Sequence, residues 1–68
     1  MKPVATISFN DADSNGQGTA IVRARDGVVA VTLSLRTNGD LEVFLPVESA
    51  LEFSAALRQA VELAGRGA

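Results

Sequence analysis

The chain offers few side chains that could carry out catalysis. Five serines and one lysine, Lys2, are its candidate nucleophiles, and the sequence contains no histidine and no cysteine. A serine needs a neighbouring base such as histidine before it attacks, and most protein metal centres use imidazole or thiolate ligands. The sequence therefore predicts a protein that is not an enzyme, with no catalytic residues, no metal site and no cofactor.

The polar segment Asp11 to Gly16 is the one motif with a specific chemical precedent. It carries Asp, Asp and Asn at alternate positions and Gly at the sixth. This spacing resembles the start of an EF-hand calcium loop, where oxygen ligands surround the ion and glycine permits a sharp turn. The twelfth position, which is a bidentate Glu in such loops, is Val22. An ordinary polar hairpin loop needs the same residue types for its backbone, so we expect a loop and keep weak calcium binding as the alternative.

Length and composition limit the rest. The 68 residues suit one domain, residues 1–68, and 47% are hydrophobic while the net charge is only −2. Such a charge creates no strong field toward nucleic acid or anionic lipid. Met1 to Pro3 leads into an alternating pattern and no apolar run approaches about 20 residues, so we expect a cytoplasmic protein without a membrane partner.

Residue periodicity places the elements. Apolar and polar residues alternate in four segments, and the period then changes from two to 3.6 after Pro46. Strands are predicted at about 4–9, 19–25, 28–36 and 40–45, with a helix at about 47–65. The predicted fold is α+β: a four-stranded antiparallel meander followed by one C-terminal helix packed on one sheet face, ββββα in two layers.

Turn residues fix the expected registers. Asp26-Gly27 is typical of a two-residue hairpin, which pairs Val22 with Val31. A three-residue loop at 37–39 then keeps the apolar residues of the next strand on the same face, and it pairs Leu33 with Val43.

The opposite, outer sheet face is the candidate site. The expected registers place Ile21, Thr32 and Phe44 in one row, with further apolar and charged residues beside it. Apolar residues flanked by arginine are typical of protein interfaces. The predicted interface residues are Ile21, Arg23, Arg25, Val28, Phe44 and Glu42.

These observations lead to two hypotheses about function. The favoured one is a small, non-enzymatic protein-interaction or regulatory module that acts as a homodimer, because so short a core needs additional burial. The dimer would form through strand pairing at the sheet edge, or through the outer face with Arg23 and Arg25 opposite Asp40 and Glu42 of the other subunit. A protein partner is expected in addition.

The alternative is a protein that binds single-stranded nucleic acid on the outer sheet face. Phe44 would stack on a base while Arg23 and Arg25 hold phosphates. At the level of architecture only, four strands and a terminal helix resemble the dimeric transcriptional coactivators that bind single-stranded DNA. No motif carries that resemblance, and the basic, aromatic strands of that family are matched only at Arg23, Arg25 and Phe44. Nucleic acid is the less favoured partner because the face has one aromatic residue and the chain is acidic.

Overall fold

The computed structural model describes residues 1–67 and confirms the predicted ββββα fold. Four strands form one open antiparallel sheet, and a C-terminal helix contacts that sheet. The element bounds, each within two residues of the predicted ones, are β1 Lys2–Asn10, β2 Gln17–Arg25, β3 Val28–Leu35, β4 Gly39–Pro46 and α1 Val47–Gly65. Within residues 1–67, no helix has the length and apolar character needed to cross a membrane.

The strands lie in chain order, β1-β2-β3-β4, so that β1 and β4 form the two edges. The hairpin between β2 and β3 turns at Asp26-Gly27, where Gly27 has a φ of 74°. Its register pairs Val22 with Val31, which confirms the predicted register. In β1 the pairing shifts between Pro3 and Ala5, a bulge that leaves Val4 without a partner in the register.

The predicted register between β3 and β4 is wrong by two residues. Leu33 pairs with Leu41, and Leu35 pairs with Gly39, which has a φ of 86°. The loop is therefore 36–38, closed by a hydrogen bond that the Asn38 N–H donates to the Leu35 carbonyl at 3.2 Å. Because side chains alternate with period two, a shift of two residues keeps every side chain on its face. The apolar pattern fits both registers equally well.

The two faces of the sheet differ completely in composition. One face, here called the inner face, is apolar except for Lys2 at the start of β1, which lies opposite Ala24. It is formed by Ala5, Ile7 and Phe9 of β1, Gly18, Ala20, Val22 and Ala24 of β2, Val29, Val31, Leu33 and Leu35 of β3, and Leu41, Val43 and Leu45 of β4. The other face, the outer face, mixes polar, charged and apolar side chains.

The helix meets the inner face only near its own beginning. The Val47 N–H donates to the Gly27 carbonyl at 3.1 Å, which ties the helix to the β2–β3 turn. Val29 of the sheet lies next to Val47, Ala50 and Leu51 in a shallow groove. Beyond these first turns every helix residue described is exposed.

The helix therefore covers much less of the sheet than its apolar stripe predicts. Helix α1 begins at Val47, directly after β4 ends at Pro46, with no connecting loop. Connections between elements usually need about two to six residues, and without them the chain cannot turn back over the face it has just left. The predicted contact is present, but most of the inner face remains uncovered within one chain.

Candidate interaction surfaces

The six predicted interface residues lie together on the outer face. Ile21, Arg23 and Arg25 belong to β2, Val28 to β3, and Glu42 and Phe44 to β4. The corrected register changes which of them are neighbours. Ile21 aligns with Thr32 and Glu42, and Arg23 aligns with Ala30 and Phe44. The expected row of Ile21, Thr32 and Phe44 is therefore wrong, although all three side chains lie on the expected face.

Ala30 shows how closely this face packs. It has no solvent exposure, and it is the only buried apolar side chain among residues 1–67. Its direct neighbours across the strands are Arg23 and Phe44. Long side chains on both sides of a small one cover it, so part of the outer face is already closed by its own residues.

Two opposite charges on the outer face are paired within the chain. The Arg23 guanidinium forms an ion pair with the Glu42 carboxylate. The same carboxylate accepts a hydrogen bond of 3.0 Å from the Thr32 hydroxyl. Arg23 and Glu42, which the sequence suggested would meet across a dimer, thus satisfy each other in one subunit.

The Asp11 to Gly16 loop has an internal hydrogen-bond network. The Asp11 carboxylate accepts bonds of 2.9 Å from both the backbone N–H and the hydroxyl of Ser14. These bonds hold the pKa of the Asp11 carboxyl below its usual value of 3.8. Asn15 adopts a positive φ of 60°, and the Asp11 N–H donates to the Gly16 carbonyl at 2.8 Å. Each feature closes the turn between β1 and β2.

No set of potential metal ligands gathers elsewhere in the part of the chain described. Residues 1–67 contain no cluster of three or more His, Cys, Asp or Glu side chains suited to an ion. A depression at the β1–β2 end is lined by 8–10 and 17–19, segments without an ionisable side chain. The depression therefore supplies no acid, base or charged metal ligand.

The second surface is much larger and was not predicted as a site. It consists of the inner face together with the apolar side of α1, and we call it the inner surface. Leu33 is 46% exposed in the middle of the sheet, and Leu57 is 54% exposed in the middle of the helix. Further exposed apolar residues of this surface are Ile7, Phe9, Leu41, Val43, Val47, Phe53 and Val61.

The overall dimensions measure this exposure. The solvent-accessible area is 5393 Å². A compact monomer of this mass, 7.0 kDa, would expose about 4,000 Å². The radius of gyration is 13.3 Å, whereas about 11 Å is typical of a compact chain of this length. Both the accessible area and the radius of gyration are therefore larger than expected for a compact chain of this length.

Comparisons with protein-family models, with curated proteins and with solved structures find no match to this chain. Its function has to be inferred from its own surfaces. The sequence predicted the outer face from its composition but missed the inner surface. The available signal was the single residue, Pro46, between Leu45 and Val47, which leaves no room for the helix to fold back.

Proposed function

We propose that the protein is a small, non-enzymatic interaction or regulatory module that acts as a cytoplasmic homodimer. The excess of exposed area over a compact monomer carries this proposal. Monomeric proteins rarely expose contiguous apolar patches beyond a few hundred Å², and larger patches mark sites of association. The inner surface spans four strands and one helix, so it exceeds what a monomer of this size tolerates in water.

The lack of a catalytic arrangement supports a binding role. No histidine or cysteine is available, and the side chain of Asp11, whose pKa is lowered, is engaged by Ser14. Active sites are usually concave and bring together a nucleophile, a base and an electrostatic stabiliser. The described surfaces are the open faces of a sheet and an exposed helix, which suit contact with another protein.

The outer face is the proposed contact for a partner protein. Phe44 is 54% exposed there, with Ile21 and Val28 on the same face. Arg25 is exposed at the end of β2. An exposed aromatic residue beside apolar and arginine side chains has the composition of an interface core with a polar rim.

Single-stranded nucleic acid is the second candidate, and the exposure of Phe44 favours it. A base could stack on this ring, as on the sheets of many single-strand binders. The Arg23–Glu42 ion pair weighs against it, because the paired carboxylate opposes contact of that guanidinium with phosphate. We therefore keep the protein interface as the main proposal.

Sedimentation equilibrium of the unmodified chain tests the proposal. Between about 1 and about 100 µM we expect a dimer, and a melting temperature that rises with concentration as mass action requires. A folded monomer with a concentration-independent melting temperature would contradict it. Titration with a labelled single-stranded oligonucleotide at about 0.05 M and about 0.5 M salt tests the second candidate, because phosphate contacts weaken steeply with salt.

A further inference from the structure

We infer that the inner surface is the homodimer contact, in which helix α1 of each copy packs on the inner face of the other copy. The inference rests on the proposed function and names the surface through which that dimer forms. It also assigns the outer face a separate role, since that face stays open when the inner surfaces close on each other.

The chemistry of the inner face restricts its partner to an apolar one. Apart from Lys2 at the start of the edge strand β1, none of its residues carries a charge or a hydrogen-bonding side chain. Nucleic acid and acidic or basic peptides find no complementary group there. A helix with an apolar stripe is the usual cover for such a sheet face.

The chain itself carries such a helix, with its apolar side uncovered. Its long polar residues Glu48, Glu52, Arg58, Gln59 and Glu62 fall within about a third of the helix circumference. Phe53, Leu57 and Val61 lie outside that third and are each more than half exposed. A second copy therefore supplies the missing cover without any further partner.

The lengths of the two surfaces agree. Helix α1 has 19 residues, which corresponds to about 28 Å at 1.5 Å per residue. Strands of eight residues, such as β3 and β4, extend about 26 Å. The helix of one copy can thus run across the whole inner face of the other, and a two-fold axis makes the contact reciprocal.

The area also agrees with a stable dimer. One chain exposes about 1,400 Å² more than a compact monomer of its mass. If each copy buries that excess, the interface totals about 2,800 Å², within the range of about 2,000 to 5,000 Å² found for obligate homodimers. Pairing at one sheet edge would leave both apolar faces exposed and would remove far less of the excess.

Two charge substitutions on the helix provide a matched test. Leu57→Glu places a carboxylate on the apolar side, and Gln59→Glu adds the same charge on the polar side of the same helix. We expect Leu57→Glu to weaken the dimer at least about 100-fold in sedimentation equilibrium, because a buried carboxylate is strongly disfavoured. Gln59→Glu should leave the dissociation constant within about threefold.

Mixing two variants distinguishes a helix-on-sheet contact from other kinds of dimer. The experiment remains informative even if neither variant folds alone. Leu33→Lys disrupts the inner face but leaves the sequence of the helix unchanged. Mixed with Leu57→Glu, it forms one unmodified helix-on-sheet contact, while the new Glu and Lys share the other. We expect the mixture to regain heterodimer by native mass spectrometry and helical circular dichroism, while each variant alone shows neither.

The outcomes separate the two proposals. An unmodified chain that stays monomeric would overturn the proposed function and this inference together. An unmodified dimer that Leu57→Glu leaves intact, or two variants that do not recover on mixing, would overturn the inference alone and leave the homodimer standing. A dimer lost in Phe44→Glu but kept in Leu57→Glu would move the contact to the outer face.

Discussion

The inner and outer faces belong to the same four strands but differ in how their residues are satisfied. On the outer face, Glu42 of β4 binds Thr32 on the neighbouring strand β3 and Arg23 on β2, the next strand beyond it. On the inner face every side chain except Lys2 is apolar, yet Leu33 and Val43 remain substantially exposed. An antiparallel sheet with one solvated face normally buries its apolar one. The comparison teaches that an apolar face is suited to burial even where a single chain leaves that face exposed to solvent.

The sharpest way to break this comparison uses two adjacent residues of β4 that lie on opposite faces. Val43 is 39% exposed on the inner face and Phe44 is 54% exposed on the outer face. We expect Val43→Glu to lower the free energy of unfolding by about 2 to 4 kcal/mol, because the dimer buries that site. Phe44→Glu should cost less than about 1 kcal/mol. Urea unfolding at one protein concentration measures both, and equal losses would show that neither face is covered.

A second prediction concerns close packing on the inner face. A Cβ atom at Gly18 would lie 2.6 Å from the Phe9 ring and 2.8 Å from a Leu35 methyl group. Both side chains would have to move, so we expect Gly18→Ala to lower stability by about 1 kcal/mol. Gly65→Ala is the matched control, since a Cβ there meets nothing within 4 Å. Thermal unfolding compares the stability of the two variants. A Gly18→Ala protein as stable as the Gly65→Ala control would refute the packing argument.

A smaller effect is expected from the ion pair on the outer face. The Arg23 and Glu42 side chains are 33% and 42% exposed, so solvent screening limits their interaction. We expect Glu42→Gln to lower the free energy of unfolding by about 0.5 kcal/mol at low salt, and the difference to fade near 0.5 M salt. Glu52→Gln on the helix provides the same change of charge as a control. A loss that persists at high salt would indicate a contribution other than charge pairing.

The smallest effect concerns the pH dependence of the β1–β2 loop. Hydrogen bonds from Ser14 lower the pKa of the Asp11 carboxyl below 3.8 in the folded chain. A depressed pKa contributes stability above the unfolded value, and this is lost as pH falls through the lower folded value. We expect Asp11→Asn to be slightly less stable than the unmodified chain at pH 7. The difference should shrink in strong acid, and a difference that stays constant down to the lowest pH would contradict this account. Urea unfolding across this pH range tests it.

Local signals were sufficient to predict the elements and one hairpin. Alternation identified the strands, and Asp26-Gly27 fixed the β2–β3 register because a two-residue hairpin loop at this position allows only one pairing. The β3–β4 register was missed because loops at 36–38 and 37–39 place the same side chains inward. Register errors of two residues cannot be detected from a face that is apolar throughout.

For the candidate site, the sequence predicted the correct sheet face of each residue but not all of its neighbours, because of the same two-residue error in register. All six outer-face residues lie on the expected face, since a two-residue shift preserves the face. The Arg23–Glu42 pair was missed, because the expected register places Glu42 opposite Ser34 instead of Thr32. The inner surface was missed because periodicity shows that a helix has an apolar side but not what that side contacts.

Thiol labelling of single-cysteine variants tests the central claim most directly, because the natural chain contains no cysteine. Val43→Cys and Phe44→Cys report the two sheet faces, and Leu57→Cys and Gln59→Cys report the two sides of the helix. At about 100 µM we expect the cysteines at 43 and 57 to react at least about tenfold more slowly than those at 44 and 59, with the rates converging on dilution as the dimer dissociates. Equal rates within both pairs at every concentration would contradict the account.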